Sequence, residues 1–363
     1  MKLNSIQFFT NTSMMISMML IPVIADDLGA NQIQIGTIIG VYGLCLFISS
    51  YVFSKAADAL NLKKLLVAGL AFSAVAYFLQ VFANDPLSLG LARGFLGICV
   101  GIYPAAMIMH VYGMGRSIGK FSSFGALGWA TGFFVAGIIG NYDLIFIASS
   151  VLMILSAIVA MRLPNVKVPR IKVAYMSLAT VKANWDIYLT FMLRHTGATA
   201  VWVIFPLYLI SLGADKFGIG MIYCINPLVQ FFIMRRLDGR DSVSLVRYGC
   251  LVSMVAFLSF IPPTTFYYIV PGMILVAVSW SFLYVGSTEL LLSQNQDKAT
   301  ATGWITSVIS LASVVGSLLG GVISYYYGFV AVLVFAGGLS FISFRIMASR
   351  PHPQHPSESG YSS

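Results

Sequence analysis

Apolar runs of roughly 20 residues, each closed by a short polar stretch, recur along the whole of this chain. A helix rises 1.5 Å per residue, so a run of about 20 crosses the ~30 Å hydrocarbon core of a bilayer. The pattern predicts twelve spans, near residues 5–25, 33–53, 65–83, 87–109, 121–140, 144–161, 187–210, 217–234, 245–261, 266–288, 301–323 and 329–346. The longest interruption, residues 162–186, reads "RLPNVKVPRIKVAYMSLATVKANWD" and separates six spans from six. The expected organisation is an N-terminal six-helix bundle over 1–161, a cytoplasmic connecting loop over 162–186 and a C-terminal six-helix bundle over 187–346. A Pro- and Ser-rich tail over 347–363 is too poor in apolar residues to pack and is expected to be disordered.

Hydrophobic residues make up 58% of the chain and charged residues 9%, whereas soluble domains carry about 25% charged residues. A soluble fold is excluded, and the chain reads as an all-α membrane protein. The first run follows Lys2 as a signal peptide would. It is nevertheless long enough to span, holds Thr10, Asn11 and Thr12, and ends in a poor cleavage site, so it reads as a retained first span. Cys45, Cys99, Cys224 and Cys250 all fall inside spans without metal spacing and read as packing residues. No metal or cofactor is expected.

Charge sets the orientation. With the N-terminus inside, 18 of the 21 lysines and arginines fall on the cytoplasmic side, Lys216 alone lies in an outer loop, and Arg93 and Arg194 lie within spans. This positive-inside bias predicts a multi-pass protein of the cell (plasma) membrane with both termini cytoplasmic. It also accounts for the net charge of +9 without a nucleic-acid partner. The outer loops carry Asp26, Asp27, Asp85, Asp143 and Asp215.

The halves repeat at an offset of 184 residues. Pro22 matches Pro206, Leu28–Ala30 matches Leu212–Ala214 ("LGA" in both), and Ile35-Gly36 matches Ile219-Gly220. Further on, Ser123, Gly132, Gly137 and Tyr142 match Ser307, Gly316, Gly321 and Tyr326. Parallel repeats of six spans imply two bundles related by an axis along the membrane normal, with the solute between them near the midplane. After span two the chain reads "SKAADALNLKK" (Ser54–Lys64); span four carries Arg93, Gly97 and Gly101; span five reads "GALGWATGFFVAG" (Gly125–Gly137). Together these features resemble the major facilitator superfamily over the full length. Asp58, Lys63 and Lys64 match the family's loop motif, while Ser54, Ala59 and Asn61 depart from it. The family's drug exporters carry a Gly-Pro pair in span five that is missing here.

The resemblance implies a gating role for Asp58, Lys63 and Lys64, with the Asp58 carboxylate facing the N-terminal end of span eleven near Thr300–Thr302. The alternative reading of Asp58 is a loop aspartate offsetting Lys55 and Lys63, and the motif favours gating. The glycines of span five read first as helix packing. The resemblance also places spans one, four, seven and ten around a central cavity. Candidate solute-binding residues there are Asn11, Arg93, Arg194, His195, Thr199, Trp202, Trp280 and Tyr284. Thr10, Ser13 and Ser17 form a polar stripe on span one; His195, Thr199 and Trp202 share a helical spacing, as do Trp280, Tyr284 and Ser287. Such stripes should face protein or water rather than lipid. Arg194 lies ~12 Å deep from its rise along the helix, and either snorkels to the interface or charges the cavity. His195 is a packing histidine or a titratable one. Arg93 could pair with Asp26 or Asp27.

No Asp or Glu stands mid-span, so the expected solute is anionic or polar, met by arginine and histidine. The candidates for proton coupling are His195, Asp26, Asp27 and Glu289. The expected function is a proton-coupled secondary transporter, acting as a monomer, that moves a small organic solute by alternating access. The runner-up is multidrug efflux, for which Trp202, Trp280, Tyr284 and the methionines of span one would suit amphiphiles. A non-transporting receptor and a membrane enzyme have weaker support, because no signalling segment and no nucleophile–base pair stand out.

Overall fold

Each polar break between apolar runs supplies a helix stop and the next helix start. The computed structural model describes residues 2–59, 61–116, 118–166, 178–237, 239–295 and 298–350. Span one is α1 (Lys2–Met18) and α2 (Ile21–Asp27), parted just ahead of Pro22. Spans two and three are α3 (Gln32–Ala59) and α4 (Leu62–Leu79). Span four is α5 (Pro86–Val100) and α6 (Pro104–Gly113); the break precedes Pro104, which lacks the N–H an unbroken helix would need there. Spans five and six are α7 (Ile118–Ile139) and α8 (Tyr142–Met161). A short α9 (Leu178–Ala183) stands within the expected loop. Then come α10 (Trp185–Ser211), α11 (Lys216–Met234), α12 (Ser242–Leu258) and α13 (Val270–Gln294). Finally α14 (Lys298–Ala348) carries spans eleven and twelve, broken at Gly328, where φ is 78°. Its last residues, Met347 and Ala348, lie in the region assigned by sequence to the tail.

Among the described residues, ten helical stretches are long and apolar enough to cross a membrane. The last of them, Ala301–Ala348, divides at Gly328, and the shorter apolar helix Ser242–Leu258 completes the twelve expected.

The starts are capped by side chains. Asn61, Asn141, Asp215 and Asp241 accept from the backbone N–H of Lys64, Leu144, Gly218 and Ser244, occupying donors that the helix leaves free. Asp85 accepts from Ser88 and Leu87, and the Ser88 N–H foremost holds its carboxyl below the ordinary range. The repeated "LGA" is a helix stop. Gly29 and Gly213 adopt φ of 84° and 86°, and the N–H groups of Ala30 and Ala214 reach back to the carbonyls of Ala25 and Leu209, both at 2.9 Å. The positive φ is why glycine recurs at both positions.

The two ends of the molecule differ. One carries Lys2, Lys63, Lys64 and Arg162 and is called the basic end below; the other carries Asp26, Asp27, Asp85, Asp143 and Asp215 and is called the acidic end. Towards the acidic end one buried apolar core runs through both halves, joining Ile16–Ile38 and Ile145 to Ala198–Tyr223, Phe257 and Ala336. Towards the basic end there are two cores. One belongs to the N-terminal half, around Leu66, Tyr77, Leu96 and Met153; the other belongs to the C-terminal half, around Phe191, Val246, Leu283 and Ile305. The halves are therefore fused at the acidic end and packed separately at the basic end.

Candidate functional site

The polar stripe of span one is packing. Ser13 and Ser149 exchange hydroxyl-to-carbonyl hydrogen bonds of 2.8 and 3.0 Å, which ties α1 to α8. Thr10 returns its hydroxyl to its own helix at Ile6. Ser17 accepts from Arg93 at 3.2 Å. Another side of α1 meets α7: Asn11 is half-buried, and its side-chain oxygen accepts the Trp129 indole N–H at 2.7 Å. Close approach of α7 permits this contact, since a Cβ on Gly128 would press on Asn11 and Thr12. Span five, read from sequence as a packing helix, thus also brings a tryptophan, 36% exposed, beside Asn11.

Arg93 is 1% exposed and does not pair with Asp26 or Asp27. It donates to Ser17 and, at 3.4 Å, to Gln80, and its guanidinium lies 4.3 Å from the Tyr42 ring centre. Asp27 instead accepts the Tyr142 hydroxyl, and Asp26 and Asp27 are both exposed. The apparent pairing rested on nearness along the span axis; the side chain turns inward, where hydroxyls and a ring face are available.

Arg194 neither snorkels nor faces an open cavity. It is 2% exposed and held inside the C-terminal half. Its Nε donates to Ser253 on α12 at 2.7 Å, and a terminal nitrogen donates to Ser279 on α13 at 2.9 Å. Its guanidinium carbon lies 5.6 Å from the ring centres of both Phe257 and Trp280. Charge-assisted bonds and ring faces are what a cation in a dry helix bundle requires.

Trp280 also belongs to a cluster with more chemistry. The His195 ring is 5.2 Å from the Trp280 ring, and Trp280 stacks on Tyr284 at 5.7 Å with the planes 19° apart. Tyr284 is 40% exposed. His195 Nε2 meets the Ser313 hydroxyl on α14 at 3.3 Å, while its buried Nδ1 has no hydrogen-bond partner among the described residues. The structure therefore brings together His195, Trp280 and Tyr284 and adds Ser313, an ordinary serine in sequence. Thr199 and Trp202 do not join the rings: Thr199 returns its hydroxyl to the His195 backbone carbonyl at 3.0 Å and packs where Gly316 of α14 lets the helices touch, and Trp202 packs on Phe205 and Tyr223. Asn226 and Gln230, four apart on α11 and hydrogen-bonded to each other, are a polar pair that the sequence reading passed over.

Glu289 accepts from Ser242 at 3.2 Å, away from the His195 cluster and towards the basic end. Lys63 is half-buried and Lys64 exposed at the start of α4. The side chains of Asp58 and Thr300 lie outside the described residues. Among the described residues no group of three or more metal-ligating side chains comes together.

The family model for the Major Facilitator Superfamily matches residues 3–293. An uncharacterized MFS-type transporter from Methanocaldococcus jannaschii is 21% identical over 344 residues, covering 88% of this chain and 89% of the relative. The solved nucleoside transporter NupG is 12% identical with a TM-score of 0.81, covering 96% of this chain and 99% of that one. The human organic anion transporter MFSD10 is 14% identical with a TM-score of 0.72, covering 95% of this chain and 98% of that one. A bacterial homologue of the lysosomal transporter Spinster is 11% identical with a TM-score of 0.78, covering 95% and 94%. The structural likenesses establish the two-bundle transporter fold, and the near full-length family match establishes that this chain belongs to the Major Facilitator Superfamily.

Proposed function

We propose that the chain is a secondary active transporter that carries a small, polar, planar organic solute by alternating access, with the solute stacked on Trp280 and Tyr284 between the two halves. The observation that carries this reading is the aromatic pair beside His195, whose Nδ1 is unpartnered among the described residues and whose other nitrogen meets Ser313. A few convergent polar groups on an aromatic wall are the usual make-up of a small-molecule site. Asn11 and Trp129 supply the wall from the N-terminal half.

The anionic form of the expectation loses its main support, because Arg93 and Arg194 direct their guanidinium groups at buried serines, Gln80 and rings. An uncharged polar solute suits the lining better. Proton coupling is assigned to His195, the titratable group of that wall: a proton taken up there would travel with the solute. Asp26 and Asp27, exposed at the end of α2, and Glu289, half-buried towards the basic end of α13, stand apart from it. The chain acts as a monomer in the plasma membrane with its basic end cytoplasmic. In that orientation the conformation fused at the acidic end loads and releases on the cytoplasmic side.

The test is flux in proteoliposomes with three labelled probes: a neutral nucleoside, an organic anion and a lipophilic cation. The expected result is saturable nucleoside-type flux that falls about tenfold or more in Trp280→Ala and is largely kept in Trp280→Phe. Flux of the anion alone, indifferent to Trp280→Ala, would overturn the reading. Flux of the cation alone would turn it into the drug-efflux alternative.

A further inference from the structure

Two close seams join the halves at the acidic end, and they are copies of each other in the sequence repeat. Between α3 and α14, a Cβ on Gly36 would stand 3.1 Å from the Gly321 Cα. Between α11 and α7, a Cβ on Gly220 would stand 2.9 Å from the Gly137 Cα. Gly36 and Gly220 are equivalent at the 184-residue offset, and so are Gly137 and Gly321. Backbone thus meets backbone at two symmetric places.

The polar chemistry above the seams is not symmetric. Lys216, the first residue of α11, extends across to the N-terminal half and donates from Nζ to the Gly140 carbonyl at 2.9 Å. The same ammonium lies 3.8 Å from the Tyr142 ring centre. Tyr142 in turn donates its hydroxyl to Asp27 of α2. The Gly140 carbonyl stands at the C-terminal end of α7, where the helix dipole favours a cation. At the other seam the equivalents are Gln32 for Lys216, Ser324 for Gly140 and Tyr326 for Tyr142. Gln32 carries no charge, and Tyr326 is 66% exposed. Lys216 is also the residue that stood out in the charge pattern, the single basic residue in the acidic-end loops.

We propose that Lys216 is a latch that holds the acidic end closed on the α7–α11 seam alone, through Gly140 and Tyr142. It stands at a cleft of ≈ 550 Å³ lined by Val23, Asp27, Tyr142 and Phe217 among others, so its contacts can be made and broken without repacking a core. The held ammonium adds a polar hold to this seam, whereas the α3–α14 seam is held by close packing, in which a Cβ on Gly36 would meet Gly321 and one on Gly40 would meet Ser317 and Leu318. This inference is independent of which solute is carried, and Lys216 is a positioning residue for the conformational cycle, not a solute contact.

The experiment is hydrogen–deuterium exchange on the full-length protein in detergent, without solute, comparing wild type with Lys216→Met, Lys216→Arg and Tyr142→Ala. Lys216→Met keeps the apolar stem and removes the charge. Its expected effect is faster exchange in segments 137–146 and 210–220, by roughly threefold to thirtyfold for loss of a charged hydrogen bond and a cation–ring contact, with segment 283–294 near the basic end unchanged. Tyr142→Ala should move the same segments in the same direction, and Lys216→Arg should restore slow exchange. Faster exchange throughout the chain would mean general destabilisation and would overturn the latch. Unchanged exchange in 137–146 in both Lys216→Met and Tyr142→Ala would overturn it too.

Discussion

Arg194 is held by two serine hydroxyls and two aromatic rings, none of them charged. Its guanidinium lies beside Trp280, and Trp280 stacks on Tyr284. In the proposed reading, a guanidinium so placed is a prop for the aromatic wall. Hydrogen bonds to charged groups contribute about 1.5–3 kcal/mol, and a buried donor left unpaired costs about 1–3 kcal/mol. Ser253→Ala should therefore lower the apparent melting temperature in detergent while leaving solute affinity within about threefold. Arg194→Gln should lower it further and blunt binding only through disorder of Trp280, visible as a shift in tryptophan emission. An anionic solute whose affinity collapses in Arg194→Gln at unchanged melting temperature would return the arginine to the solute. The sequence made both arginines visible but not their partners. Ser253, Ser279 and Ser17 are common residues in spans, and nothing in one helix says which serine of another will face it. His195, Trp280 and Tyr284 were legible because titratable and aromatic groups are rare enough in a span to signal a protein-facing side.

Helices were the most legible level. Apolar runs and positive-φ glycines fix where a span can begin and end, and the repeated "LGA" marks the same left-handed stop in both halves. The interruptions of spans one and four were not read, although Pro22 and Pro104 stand right after them, because hydropathy runs on across a break. Helix seams were half-legible: glycines four apart signal close packing without naming the partner. On α14, Gly316 and Gly320 lie against the backbone of Thr196 and Ala200 on α10, and a Cβ on Gly320 would come within 2.7 Å of the Ala200 Cα. Gly320→Val should force these helices apart and cost about 1–3 kcal/mol as an overpacking change, read as a fall in apparent melting temperature and in flux. Gly303→Ala on the same helix meets nothing within 4 Å among the described residues and should be neutral or mildly stabilising. If Gly320→Val melts like wild type, the α10–α14 contact is looser than these positions imply.

At the scale of the molecule, two independent asymmetries coincide. Basic side chains gather at one end of the helices, and the same end is where the apolar core divides into one cluster per half. The acidic end has a single core, two glycine seams and Lys216. The charge bias could be read from sequence because insertion machinery reads loops one at a time. The division of the core could not, because it depends on how the helices of the two halves meet, which no single apolar run records. Joined, the two give a directional expectation: basic loops in the cytoplasm put the parted end on the cytoplasmic side. The check uses single cysteines at Arg162 and Asp143, both exposed and at opposite ends, with the four native cysteines replaced. A membrane-impermeant thiol reagent applied to intact cells should label position 143 and leave position 162 unlabelled, and permeabilisation should make both react. Labelling of position 162 in intact cells would invert the molecule, and with it the side on which this conformation exchanges solute.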